Sequence, residues 1–105
     1  MTTETLLPMF AALADETRWS ILTALGEGDA SASALAGRLP VSRQAIAKHL
    51  AVLQEVGLVD PVRVGREVRF RVLGAQLSDT ARSLETIGIQ WDRRLAAIKQ
   101  IAEEL

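Results

Sequence analysis

The stretch SASALAGRLPVSRQAIAKHLAVL, residues 31–53, decides the fold of this chain. Leu35 and Leu39 mark the buried side of a first short helix, and a second apolar stripe follows at helical spacing. Pro40 disfavours helical geometry at the residue before it and therefore ends the first helix. Ser42 has the hydroxyl needed to cap the next helix. The stretch thus predicts two helices joined by a tight turn. The stripe of the second helix consists of Ile46, Leu50 and Leu53.

The second helix has a polar face opposite its apolar stripe, and the two helices together span about residues 31–56. Small Ala47 interrupts this face and permits the close approach of another surface. Hydrogen-bonding and cationic side chains in this arrangement are typical of a recognition helix that enters the DNA major groove. For this segment alone, an ordinary solvated helix face is the alternative. The polar face comprises Arg43, Gln44, Ala47 and Lys48.

A basic β-hairpin, which we call the wing, is predicted over about residues 58–73, LVDPVRVGREVRFRVL. Gly57 stands where helices commonly end with a left-handed residue. Apolar and basic residues then alternate around Gly65, which predicts an apolar inner face and a basic outer face. Because Pro61 has no N–H to donate, its strand belongs at a sheet edge or contains a bulge. The expected inner residues are Val62, Val64, Val68, Phe70 and Val72, and the expected outer residues are Arg63, Arg69 and Arg71.

Positive charge is concentrated in the part of the chain that contains these elements. The whole chain has 12 basic and 13 acidic residues and a formal net charge of −1. Residues 38–71 nevertheless contain seven basic and three acidic residues, whereas the remainder contains five and ten. Since phosphate contacts and counterion release supply much of the affinity for DNA, this distribution favours double-stranded DNA as the partner.

Length and composition indicate a single domain, residues 1–105, with one core. The absence of cysteine excludes disulfides and thiolate metal sites. No apolar run reaches the roughly 20 residues of a membrane span, and the N-terminus lacks the basic leader of a secretory signal. We therefore expect a cytoplasmic protein that has no membrane contact.

Apolar helices at the two ends predict a homodimer. The first two helices are expected over about residues 4–14 and 16–25, with Asp15 as the cap of the second. A last helix is expected over about residues 77–104, with Gly88 as its one weak point. At roughly 40 Å it is too long for so small a domain to cover, so a second subunit is expected on its apolar seam. Folding back onto its own domain is the alternative. The seven-residue repeat consists of Leu77, Leu84, Trp91, Ile98 and Leu105. The expected dimer contacts are Leu6, Leu7, Phe10, Leu84, Ile87, Trp91, Leu95 and Ile98.

Three segments resemble the ArsR-type winged helix-turn-helix repressors. They are LADETRWSILTAL (13–25), LPVSRQAIAKHLAVLQEVGLV (39–59) and VGREVRFRV (64–72), in the order and spacing of that family. The ending IQWDRRLAAIKQIAEEL is similar to a metal-independent branch. The resemblance implies a mainly α fold with a small β-hairpin, in the order α-α-α-α-β-β-α, and a homodimer through the N- and C-terminal helices. It also implies a repressor that occupies its own promoter and releases it on a signal.

The residues do not favour metal sensing, and we predict no metal and no cofactor. Metal sensors of the resembled family carry a Cys-x-Cys pair where this chain has Ser31 and Ser33. Serine hydroxyls are poor ligands for soft metals and commonly cap helices. A second family site on the terminal helix uses histidines, but the single histidine here is His49. An all-carboxylate site is the minor alternative, with Asp79, Glu85, Asp92 and Glu103.

The inventory of reactive groups argues against an enzyme, since there is one histidine, no phosphate-binding glycine loop and no convergent catalytic set. For His49 we expect packing with one ring nitrogen hydrogen-bonded, and a phosphate contact is the alternative. Trp91 is expected in the dimer core, and Trp19 at the surface or the interface. Either tryptophan could line a pocket for an unidentified small-molecule effector.

The predicted function is that of a DNA-binding transcriptional regulator, an autoregulatory repressor that binds a near-palindromic operator as a dimer. A winged-helix protein–protein interaction module is the alternative. Arg43 is expected to recognise guanine and Gln44 adenine, while Arg66 at the tip of the wing reaches the minor groove. The predicted DNA-binding residues are Ser31, Ser42, Arg43, Gln44, Ala47, Lys48, His49, Arg63, Arg66 and Arg69.

Overall fold

The computed structural model describes residues 3–104 and has the winged helix-turn-helix fold. Within that range five helices and three short strands follow one another, so the mainly α fold with a small β-hairpin is confirmed. The elements are α1 (Thr3–Leu13), α2 (Glu16–Glu27), β1 (Ala30–Ser31), α3 (Ala32–Arg38), α4 (Arg43–Glu55), β2 (Val59–Val64), β3 (Glu67–Val72) and α5 (Gly74–Glu104).

Short polar side chains start the three inner helices. Asp15, Ser31 and Ser42 precede α2, α3 and α4, and each accepts a hydrogen bond from the backbone N–H three residues further on, at 3.0 to 3.2 Å. Each bond satisfies one of the N–H groups that a helix leaves without an internal partner. The predicted caps at Asp15 and Ser42 are therefore confirmed.

The core lies where the helix-turn-helix packs against α2 and the sheet. Leu35 and the three residues of the α4 stripe are at most 1% exposed, as the spacing predicts, while Leu39 is half-buried. Burial of this stripe holds α4 in place and turns its opposite face outward. The other buried apolar side chains belong to Met9, Ala12, Ile21, Leu22, Leu25, Ala30, Leu58 and Val59.

The three strands form one antiparallel sheet in the order β1-β3-β2. Since β2 is an edge strand, the predicted placement of Pro61 at a sheet edge is confirmed. The backbone is left-handed at Gly57, with φ of 80°, and at Gly65, with φ of 64°. The first value confirms the predicted end of α4, and the second allows a turn of two residues in the wing. Strand β1 is too short to leave an alternating pattern in the sequence, which is why only the hairpin was predicted.

The predicted division of the wing into an apolar inner face and an arginine outer face is confirmed for β3 and wrong for β2. Val62 pairs with Arg69, and Arg63 pairs with Val68. Directly paired residues point to the same face of a sheet, so Arg63 lies on the inner face and Val62 on the outer one. The two-residue turn pairs even-numbered residues of β2 with odd-numbered residues of β3, a register that alternation along the chain does not reveal. The inner face contains Val59, Pro61, Arg63, Val68, Phe70 and Val72, and the outer face contains Asp60, Val62, Val64, Glu67, Arg69 and Arg71.

Helix α5 projects beyond the rest of the domain. Leu77 packs against the core and Thr80 is buried, but every residue from 84 to 104 is exposed. The 31 residues of α5 extend over about 46 Å at about 1.5 Å per residue, which gives the chain its long dimension of 69 Å. The alternative that this helix folds back onto its own domain is therefore wrong. Leu105, the last position of the predicted repeat, lies outside the described residues. None of the helices between residues 3 and 104 is long and apolar enough to cross a membrane.

Candidate nucleic-acid interface

The outward face of α4 has the composition predicted from the sequence. Arg43, Gln44, Ala47 and Lys48 are all exposed. They occupy successive turns on one side of the helix, opposite the buried stripe. Within residues 3–104 neither Arg43 nor Lys48 forms an ion pair, so their N–H donors are available to a partner.

Residues from three separate elements meet beside this face. Ser31 at the start of α3, Arg43 at the start of α4 and Arg66 at the tip of the wing line one cavity of about 580 Å³. The hydroxyl of Ser31 already caps α3, because it accepts from the N–H of Ala34 at 3.1 Å. The structure therefore brings three sequence-predicted residues together around one concave surface that contains two guanidinium groups.

The arginines of the wing differ in their electrostatic surroundings. Arg69 lies 3.1 Å from a carboxylate oxygen of Glu67, and Arg71 lies 3.1 Å from one of Asp60. Both pairs are on the outer face of the sheet, where solvent makes such pairs worth only about 0–1 kcal/mol. They nevertheless partly neutralise that face, so the uncompensated positive charge is at the tip and on the inner face. The wing arginines without an ion pair in the described part of the chain are Arg63 and Arg66.

His49 belongs to a polar network that the sequence did not predict. Its Nδ1 lies 3.3 Å from Nη1 of Arg18 and 4.0 Å from a carboxylate oxygen of Asp15. Because a guanidinium only donates, Nδ1 is the acceptor and the ring proton of the neutral imidazole is on Nε2. The predicted hydrogen bond to one ring nitrogen is confirmed, and the phosphate contact stays a prediction. The three-residue spacing of Asp15 and Arg18 is a recognisable capping signal. Nothing in the sequence links either residue to His49, which lies 31 positions after Arg18.

The surroundings of the Asp15 carboxyl lower its pKa. Its pKa lies below the ordinary value of 3.8 mainly because the carboxylate accepts a hydrogen bond from the backbone N–H of Arg18. The positive charge of the Arg18 guanidinium also lowers the pKa, while desolvation opposes both effects. Asp15 is therefore ionised at neutral pH, which places a negative charge at the positive dipole end of α2.

The predicted dimer contacts form an exposed apolar seam on α5 and a smaller group on α1. Leu7 is 62% exposed, whereas Leu6 and Phe10 are half-buried and Met9 packs in the core. The seam begins only after Leu77, which belongs to the core of its own domain. All five predicted seam residues are exposed: Leu84, Ile87, Trp91, Leu95 and Ile98.

Two of the four carboxylates named for an all-carboxylate site on α5 pair with neighbouring cations. Asp79 pairs with Arg82, and a carboxylate oxygen of Glu103 lies 4.0 Å from Nζ of Lys99. Across residues 3–104 no three His, Cys, Asp or Glu side chains are grouped so that they could hold a metal ion.

The fold and the outward polar helix define the helix-turn-helix class of protein. A family model described as a helix-turn-helix domain matches residues 13–62, which include α2 to α4 and the start of β2. The HTH-type transcriptional regulator CmtR of Mycobacterium tuberculosis is 39% identical over 67 residues, which are 64% of this chain. The match spans 57% of the length of CmtR, little more than half of that relative.

Solved structures identify the family within this class. The ArsR-like transcriptional regulator from Rhodococcus sp. RHA1 is 70% identical and superposes with a TM-score of 0.86, over 94% of this chain and 93% of that one. A second structure, from Mycobacterium bovis, is 26% identical, with a TM-score of 0.66 over 88% of this chain and 82% of that one. It is described as the homodimeric winged helix-turn-helix DNA-binding domain of a possible ArsR-family transcriptional regulator. The chain belongs to the ArsR-type family of winged helix-turn-helix transcriptional regulators.

Proposed function

We propose that this protein is a transcriptional repressor that binds a near-palindromic DNA operator as a cytoplasmic homodimer and controls its own promoter. The observation that carries the proposal is the outward face of α4. Arg43 and Lys48, which form no ion pair within residues 3–104, flank a small residue there, and a buried stripe holds the helix in place. A helix of about 10–12 Å diameter with such a face fits the B-DNA major groove, which is about 12 Å wide.

Within this proposal the side chains of α4 have different tasks. Arg43 recognises guanine through its two donor groups, and Gln44 recognises adenine through its amide. Ala47 lets the helix backbone come close to the bases. Lys48 contacts the phosphate backbone of the DNA and fixes the register of the helix. For His49, which lies beside it, packing through one ring nitrogen comes first and a phosphate contact is the alternative. Ser42 acts as the cap, so that the N–H groups and the positive dipole end of α4 face a phosphate.

The wing supplies the second contact. Arg66, at the tip, reaches the minor groove or its phosphates, and Arg63 supports it from the inner face. Ser31 and Arg66 line the same cavity. Ser31 contacts the part of the DNA phosphate backbone that lies between the wing and α4. Arg69 is also proposed to contribute, but we expect it to contribute least, because Glu67 already holds its guanidinium.

A homodimer would cover the exposed seam on α5 together with Leu7 on α1. The homodimeric state of the M. bovis domain supports this arrangement. Two α4 helices would then enter successive major grooves about one DNA turn apart, roughly 34 Å, on a site of matching two-fold symmetry.

The test measures binding of the full chain to a duplex from its own promoter and to a scrambled duplex, at two salt concentrations and with and without a chelator. We expect specific, salt-sensitive and chelator-independent binding. Arg43→Ala should lose roughly 1–3 kcal/mol on the promoter duplex and little on the scrambled one. Lys48→Ala should weaken binding to both and reduce the salt slope by about one unit. Arg93→Ala, an exposed arginine of α5, is the matched control and should bind like wild type.

Two outcomes would contradict the proposal. Equal loss of affinity for both duplexes in Arg43→Ala would remove its base-reading role. Absence of binding to either duplex at low salt would favour the protein–protein interaction module instead.

A further inference from the structure

Arg18 of α2 connects the end of α1 to the middle of α4. Its Nε donates to the carbonyl oxygen of Ala12 at 2.6 Å, and its Nη2 donates to that of Ala11 at 3.3 Å. Its Nη1 donates to Nδ1 of His49 at 3.3 Å. All three nitrogens of one guanidinium are therefore used, two on α1 and one on α4.

Direct packing does not fill the space between α1 and α4 at this level. A cavity of about 540 Å³ separates them, with Ala11 and Ala12 on the α1 side and Val52 and Val56 on the α4 side. Arg18 lines the same cavity. The guanidinium that contacts His49 therefore also forms part of the wall of this open cavity.

The guanidinium of Arg18 is well suited to connect α1 and α4 rigidly. The guanidinium is planar and its donors have fixed directions, so engaging all three nitrogens restricts the angle between the groups that accept from it. Two of the acceptors are carbonyls of the last turn of α1, where the helix dipole attracts positive charge. The carbonyl of Ala11 also accepts from the N–H of Ala14 at 3.3 Å. The last turn of α1 contains no basic residue of its own.

We infer that Arg18 is a positioning residue that sets the orientation of α4 relative to α1 by holding His49 through Nδ1. This inference rests on the proposed function, in which α4 reads DNA and α1 contributes to the dimer. An error in the angle between the two helices would be repeated in both subunits. It would therefore alter the spacing of the two recognition helices, on which binding to a site of fixed half-site separation depends.

A pair of substitutions at His49 separates this role from the phosphate contact. In His49→Asn the amide oxygen takes approximately the place of Nδ1 and can still accept from Arg18. In His49→Gln the longer side chain places its amide nearer the position of Nε2 and leaves Arg18 without its acceptor. We expect His49→Asn to keep the affinity for the promoter duplex within about twofold, whereas His49→Gln loses about 3- to 10-fold, the equivalent of one hydrogen bond. Neither should change the salt slope, because no phosphate contact is removed.

The opposite order of the two variants, with a reduced salt slope in His49→Asn, would overturn the inference and assign His49 to phosphate. The inference would also be overturned if His49→Asn and His49→Gln both bound the promoter duplex as tightly as wild type. Arg18→Lys retains the charge but not the fork, and should lose at least as much affinity as His49→Gln, because it also weakens the contacts with the carbonyls of α1. The double variant Arg18→Lys/His49→Gln should be no weaker than Arg18→Lys alone, because both substitutions break the same contact between Arg18 and His49. If the loss of binding free energy in the double variant equals the sum of the losses in the two single variants, the bridge is contradicted. Arg93→Lys controls for the arginine replacement itself.

A general loss of stability is distinguished by thermal unfolding of the same proteins. If the affinity of His49→Gln falls only in proportion to its unfolded fraction, Arg18 is structural and the inference is wrong. The ¹⁵N NMR signals of the His49 imidazole, recorded without DNA in mildly basic solution, test the contact. We expect Nε2 to carry the proton, and a proton on Nδ1 would refute the bridge.

Failure of the proposed function would give a different result. The wild-type protein would then show no specific DNA binding, although the His49 imidazole would still carry its proton on Nε2.

Discussion

Replacement of Trp91 by alanine should dissociate the proposed dimer. Trp91 lies near the centre of the exposed seam of α5, where its own domain leaves it 56% exposed. Leu84 and Ile98 lie one heptad away on either side, and both are exposed on the same side of the helix. A second subunit that pairs along this seam would therefore bury the indole between its neighbours.

The size of the effect follows from the exposed area. A tryptophan side chain offers up to about 250 Å², so about 140 Å² of Trp91 is available to a partner. At about 25 cal/mol per Å² this corresponds to about 3.5 kcal/mol for each tryptophan and about 7 kcal/mol for the two in a dimer. That sum is an upper bound, because burial at an interface converts only partly into affinity. We expect the dissociation constant of the dimer to rise by at least about 100-fold, which corresponds to about 2.7 kcal/mol.

Sedimentation equilibrium over a range of protein concentrations measures this constant. Ile89→Ala is the matched control, since Ile89 is 47% exposed on the same helix but about 200° around it from Trp91. We expect this control to dissociate like wild type. Equal dissociation constants for Trp91→Ala and wild type would refute the seam, and equal weakening by Ile89→Ala would indicate loss of the helix rather than of a specific contact. Circular dichroism on the same samples reports the helix content.

Three further predictions concern stability. Leu50→Ala removes a side chain that is 1% exposed and should lower the free energy of unfolding by about 2–5 kcal/mol in urea titrations, whereas Val52→Ala, at a position 36% exposed, should cost clearly less. Because the folded-state pKa of Asp15 lies below 3.8, the unfolded chain binds this proton more readily, so stability should fall as the pH drops from about 5 to 3. Asp15→Asn keeps a capping oxygen but has no proton to bind, so its melting temperature should vary less between pH 5 and 3 than that of wild type. The same pH dependence in the variant and in wild type would contradict this role of Asp15. Gly65→Ala forces a side chain into φ of 64° and should lower the melting temperature, and an unchanged value would argue against this turn.

Local rules explain which features were predictable from the sequence. The caps at Asp15 and Ser42, the end of α4 at Gly57 and the buried stripe of α4 all depend on residues within one or two helical turns. Helical spacing also places the stripe opposite the polar face, so one pattern predicts both the core and the candidate interface. The length of α5 compared with the size of the domain was enough to predict an exposed seam.

Register and long-range contacts explain the rest. Alternation along the wing was visible in the sequence, but the assignment of Arg63 to the outer face failed because facing depends on which residues pair across the turn. The pairing of Arg69 with Glu67, and of Arg71 with Asp60, then decides where positive charge is left uncompensated.

The sequence by itself therefore determined the order of the elements, their caps and the residues that face the core. Only the tertiary structure decided which cations surround one cavity, as Ser31, Arg43 and Arg66 do. It alone brought Arg18 to His49, across 31 residues of chain. The physical reason is that propensity, capping and periodicity act over a few neighbouring residues. Distances between side chains on different elements instead depend on how the buried surfaces of those elements fit together.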